Sequence, residues 1–149
     1  MTEMGKRRRD EGDYKTALEY FTKAAELGDA FAHWSLSYMY RAGQGVEEDV
    51  KKAVHHWEEA AIGGDPSARY NLGIQEWRKC NMERAKKHFI IAANLGLNDS
   101  LKEIKELYRD GYASKEDYAN ALRAYQAAVD ETKSAQREKA EEAIKNGLW

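Results

Sequence analysis

The sequence predicts an all-α fold, a solenoid of stacked antiparallel helix pairs, and three observations predict it. One segment type recurs four times: GDYKTALEYFTKAAELG from Gly12, EDVKKAVHHWEEAAIGG from Glu48, NMERAKKHFIIAANLG from Asn81 and EDYANALRAYQAAVDE from Glu116. A second, weaker amphipathic pattern sits ahead of the last three of these. Glycine supplies the punctuation, because the chain holds 11 Gly and only one Pro, as expected of many helices joined by short turns.

The four segments share one register. Alanine is followed by an aromatic ring four residues on and a second alanine three further, as in Ala17, Phe21, Ala24; Ala53, Trp57, Ala60; Ala85, Phe89, Ala92; and Ala121, Tyr125, Ala128. Spacing of this kind is the apolar stripe of an amphipathic helix. The alanines let a neighbouring helix come close and the ring fills the space beside them, so each segment is the second helix of a hairpin. The rings therefore read as core, and truncating Trp57 to Ala should cost ~3–5 kcal/mol of stability.

The first helix of each pair repeats as well. Ala32, Leu36 and Tyr40 correspond to Ala68, Leu72 and Glu76, and to Ser100, Ile104 and Tyr108. Start signals agree: Gly28-Asp29, Gly64-Asp65-Pro66 and Asn98-Asp99 each offer a cap just past a helix end, and Pro66 falls where its missing N–H costs nothing. Gly43-Gln44-Gly45-Val46 and Gly111-Tyr112 form the connectors within units, while Lys79-Cys80-Asn81 makes a shorter one without glycine. Ser114 with Asp117 has the form of a capping box.

The predicted organisation is one repeat domain over 1–149. A lone second helix (12–28) is followed by repeat 1 (29–64), repeat 2 (65–97) and repeat 3 (98–133). A separate capping helix (134–149) closes the array, and the basic N-terminus is expected to be frayed and solvated. Hairpins of this kind cannot bury their apolar faces alone, so they stack.

Composition narrows the function classes. Charged residues make up 34% and net charge is −2, from 24 basic and 26 acidic residues, which gives no global reason to seek nucleic acid or an anionic membrane. No window is apolar enough to span a bilayer, and MTEMGKRRRDEG lacks the apolar core of a secretory signal. The lone Cys80 excludes an intrachain disulfide. An intracellular, cytoplasmic location is the expectation, with Lys6-Arg7-Arg8-Arg9 the one candidate nuclear signal or nucleic-acid contact; Glu3, Asp10 and Glu11 neutralise most of that run.

Catalysis is not expected. No phosphate loop, nucleophile elbow or paired-carboxylate arrangement is present, and the Gly-Gln-Gly turn has neither a preceding strand nor a following Lys-Ser/Thr. Glu58-Glu59 and Glu141-Glu142 are adjacent on helices and point apart. His56 and His88 share a repeat position, but no carboxylate or thiol stands in ligand spacing with them, and His33 and His55 fall at other registers. No metal and no cofactor is expected. Cys80, beside Arg78 and Lys79, reads as an incidental thiol.

The stretch Ala32-x-x-x-Leu36-Ser37-x-x-Tyr40-x-x-Gly43-x-Gly45-Val46-x-x-Asp49-x-x-Lys52-Ala53-x-x-x-Trp57-x-x-x-Ala61-x-x-Gly64 resembles one Sel1-like repeat. That family is related to the tetratricopeptide repeat, and the resemblance covers roughly residues 12–132. It implies a right-handed α/α superhelix serving as an adaptor or scaffold in protein complexes. Some relatives outside the cell carry repeated disulfides, which one cysteine rules out here.

The resemblance also implies that the first helices line a concave groove. Carried over by register, the groove positions are Phe31, Trp34, Tyr38 and Arg41; Tyr70, Ile74, Trp77 and Arg78; and Lys102, Glu106 and Arg109. Trp, Tyr and Arg dominate binding hot spots. Three helices ~16 Å long and ~10 Å apart present on the order of 500 Å², below the ~800 Å² per partner of a standard interface. The expected ligand is a short peptide or helix held weakly. An alternative is head-to-tail self-assembly, in which the unpaired helix at 12–28 docks on another copy's C-terminal helix.

Overall fold

The computed structural model describes residues 1–147, and among them every regular element is an α-helix. The helices are α1 (Thr2–Asp10), α2 (Tyr14–Glu26), α3 (Ala30–Ala42), α4 (Val50–Ile62), α5 (Pro66–Arg78), α6 (Met82–Asn94), α7 (Asp99–Arg109) and α8 (Lys115–Lys145). Each packs on its neighbours in the chain, and α8 also lies against α6. The result is a helical solenoid.

The caps follow from the sequence. Asp13, Asp29, Asp49 and Asp65 each accept a hydrogen bond from a backbone N–H of the turn they open, which satisfies a donor that the helix cannot. Ser114 and Asp117 complete a reciprocal capping box at the head of α8. Asn81 and Asn98 head α6 and α7 without a side-chain cap bond, and Asp99, expected as a cap, is already helical.

Alanine spacing sets the packing. Ala17, Phe21 and Ala24 are buried in the first hairpin, Ala53, Trp57 and Ala60 in the next, and Ala85, Phe89 and Ala92 in the third. Ala32, Ala68 and Ser100 are buried where successive units meet. Tyr125, at the same register as the three buried rings, is only half-buried, because no later unit covers it.

Two expectations are corrected. The N-terminus is not frayed and α2 is not a lone half-repeat, because α1 packs on α2 to make a full hairpin. Gly5 is the contact: it is buried, and a Cβ placed there would lie 2.7 Å from the Phe21 ring. Pairs Lys6–Glu3 at 2.9 Å and Arg7–Glu11 at 3.4 Å support the helix along its exposed side. The signal was in the sequence, since Gly5 stands 16 residues before Phe21 as Gly73 stands before Phe89.

The second correction concerns the C-terminus. The second helix of repeat 3 and the expected capping helix (134–149, of which 148–149 lie outside the described residues) are one 31-residue helix, α8. Gly28, Gly64 and Gly96 end the inner second helices at φ +87°, +92° and +91°. At the next step of that series stands Thr132, which has no reason to take a left-handed conformation, so the helix runs on. From Asp130 onward every described residue of α8 is exposed except the half-buried Ala143. This segment projects rather than caps.

The glycine connector of repeat 1 makes a close approach. Gly45 has φ +71°, and a Cβ on it would lie 2.7 Å from the carbonyl carbon of Tyr14. Here the loop rests directly on the backbone that starts α2, so only glycine fits.

Candidate functional site

The eleven residues assigned to the groove lie on α3, α5 and α7, and they divide into two kinds. The rings are shared with the core. Phe31 is half-buried with its centroid 6.2 Å from Phe21, and the Lys6 ammonium sits 4.4 Å above it. Trp34, 6.0 Å from Phe31, packs against the cluster of Trp57, Ala60, Ala61, Ala68 and Leu72, and so spans the join between repeats. Tyr70, Ile74 and Trp77 pack against the core around Phe89, with the Tyr70 and Trp77 rings 5.6 and 6.1 Å from it. None of these five side chains is sealed inside; all are half-buried.

The polar members face water. Tyr38 is 53% exposed, and Arg41, Arg78, Lys102, Glu106 and Arg109 are exposed as well. The Arg41 guanidinium lies 5.7 Å from the Trp57 ring, an arrangement that orders the arginine stem while leaving its fork free. Arg109 pairs with Glu106 on its own helix at 3.1 Å.

Two contacts were invisible to a register argument because they join different helices. The Tyr70 hydroxyl donates to Glu103 Oε1 at 3.1 Å, tying α5 to α7. Burial, with the Glu103 carboxylate adding to it, pushes that phenol up to about 12. The Nδ1 atoms of His33 and His56 meet at 3.0 Å between α3 and α4. The basic run is likewise engaged, because Lys6, Arg7, Arg8 and Arg9 each pair with an acid on α1 or just beyond it.

Among the described residues no group of three or more His, Cys, Asp or Glu is arranged to hold a metal, and no helix is long and apolar enough to cross a membrane. The site is thus a surface rather than a pocket: aromatic rings seated in the repeat joints, with cations around them.

The Sel1 repeat profile matches residues 3–29, 30–65 and 66–97. The chain belongs to the Sel1 repeat family. The first matched repeat includes α1, so the array begins a helix earlier than the sequence reading placed it. A Sel1 repeat protein from Oxalobacter formigenes has the same fold, with TM-score 0.72, 24% identity, and 87% of this chain and 55% of that chain covered. The chain is 31% identical over 115 residues to the uncharacterized protein NMB1327 of Neisseria meningitidis, covering 72% of this chain and 23% of that protein. It is 29% identical over 131 residues to the chitin synthase regulator SKT5 of Saccharomyces cerevisiae, covering 83% of this chain and 19% of that one. The chain therefore spans less than a quarter of the length of these two relatives. Sel1 repeat proteins are in general protein-interaction scaffolds.

Proposed function

We propose that this Sel1 repeat array is a non-catalytic adaptor that holds a short peptide or helix of a partner protein along the face formed by α3, α5 and α7. The observation that carries the reading is the row Phe31, Trp34, Tyr70 and Trp77, whose rings are anchored against the core yet keep one side open, with the exposed Tyr38 beside them. A ring held by its core-facing side loses little freedom on binding, which lowers the cost of association. Arg41 and Arg78 are exposed beside this row and form no ion pair among the described residues, so a ligand with an aromatic or aliphatic anchor and a neighbouring carboxylate suits it.

The test uses exposed residues, because Trp34 and Tyr70 also hold the core. Peptides selected from a random library on the intact chain are measured by fluorescence anisotropy against Tyr38→Ala and Arg41→Glu. Weakening of about tenfold in either variant is expected, with Lys51→Glu on α4 as the control. Equal affinity for all three, with circular dichroism showing them folded, would remove this face from consideration.

Self-assembly through an unpaired second helix at 12–28 loses its premise, since α2 is already covered by α1.

A further inference from the structure

The scaffold reading makes no use of the histidines, yet the fold brings His33, His55 and His56 to one cleft of about 280 Å³, with Thr22, Glu26 and Tyr40 on its walls. Nδ1 of His33 and Nδ1 of His56 are 3.0 Å apart, and their ring centroids are 5.2 Å apart. Tyr40 stacks on His56 at 5.6 Å with an interplanar angle of 8°, which fixes the imidazole plane. Both histidines are half-buried.

Packing does not demand this pair. The same two repeat positions hold Arg69 and His88 in the next unit, and Leu101 and Ala124 in the one after. The backbone is indifferent to the chemistry there, so the His–His combination is a property of repeat 1 alone.

The separation is compatible with two-point ligation. Two imidazole nitrogens bound to one ion at about 2.05 Å stand roughly 2.9 to 3.35 Å apart as the angle between them opens from a right angle to a tetrahedral one. The hydrogen-bonded pair, at 3.0 Å, already lies within that range, and affinity for such nitrogen donors rises through nickel(II) to copper(II).

We propose that His33 and His56 form a two-point site for copper(II) or nickel(II), with the remaining coordination positions open to water and to groups of the cleft. In the metal-free protein one ring N–H donates to the other ring nitrogen. Binding needs both Nδ1 lone pairs, so that hydrogen moves to the outer Nε2 of the same ring and no net proton is lost.

The experiment titrates copper(II) into the tag-free, chelator-treated full chain by calorimetry, with a weak competing chelator in the buffer. A single site is expected, weakened about tenfold or more in each of His33→Gln and His56→Gln, and unchanged in His88→Gln, which stands at the His56 position of the next repeat. Electron paramagnetic resonance of the loaded protein should show coupling to two nitrogens, and circular dichroism confirms that the variants fold. Wild-type affinity no tighter than that of His33→Gln and His56→Gln, or an equal loss in His88→Gln, would overturn the site.

Discussion

Cys80 is the one non-glycine residue of the described chain with a positive φ, at 62°. It turns the chain from α5 into α6, five residues ahead of Ala85, and at the matching place ahead of Ala17 stands Gly12 with φ 81°. An L side chain in this conformation costs roughly 1–2 kcal/mol, less the extra freedom that glycine has in the unfolded chain. Cys80→Gly should therefore raise stability by about 0.5–1 kcal/mol in urea unfolding, and a loss would contradict the strain. His88 is a second residue whose surroundings make a prediction. Its Nδ1 is buried without a hydrogen-bond partner. Burial, then Arg69 and Arg84, lowers its pKa from 6.5, against a smaller opposite pull from Glu76 and Glu58. Above 6.5 the ring is neutral in both states. As pH falls below that value the unfolded chain takes up the proton first, so stability drops until the folded ring protonates too. The fall in urea midpoint between pH 7.5 and 5 should be smaller in His88→Gln than in the wild type. The remaining slope belongs to His56, lowered in the same direction.

At the level of helices, what the sequence reveals depends on whether an element repeats a neighbour. Four boundaries were legible because caps and glycines recur: Asp29 and Asp65 open helices, and Gly28 and Gly64 close them. The helix α1 was missed because its composition is that of a solvated arm, with four consecutive cations; only Met4-Gly5, aligned with Leu72-Gly73, marks it as the first half of a hairpin. The length of α8 was missed for the opposite reason. Its Ala-, Glu- and Lys-rich tail was read as a helix of its own, whereas nothing in Glu131-Thr132-Lys133 breaks the one before it. Restoring the breaker tests this. Thr132→Gly lowers helix propensity there by about 0.3 kcal/mol and supplies a residue free to take the left-handed turn, so amide hydrogens from Ser134 to Lys145 should exchange faster while those of α6 keep their protection. Equal exchange along the whole of α8 in the variant would show that its continuity rests on something other than residue 132.

Across the molecule, the stack was easier to read than the surface it presents. Periodicity reports which residues of one helix share a face, and that was enough to predict the buried Phe21, Trp57 and Phe89. It carries no information on the distance between side chains of different helices. Glu103 beneath the Tyr70 hydroxyl and His56 against His33 therefore emerged only in three dimensions. The same limit explains why Phe31, Trp34, Ile74 and Trp77, assigned to a groove, turn out also to pack against the core, Phe31 and Trp34 at the joints between repeats. With roughly 500 Å² of face on three helices, binding in the micromolar range or weaker is expected from the anisotropy measurement.

The contact between Gly45 and the start of α2 bears on that surface in a further way. One unit leans on the unit before it through bare main chain, with no pliable side group to act as a cushion. The inclination of the first matched repeat towards the second is accordingly a rigid setting, stored in an atom that is missing. A methyl group there would prise the two apart, and Phe31, which rests on Phe21 across that seam, would lose the support that holds its ring in the strip offered to a guest.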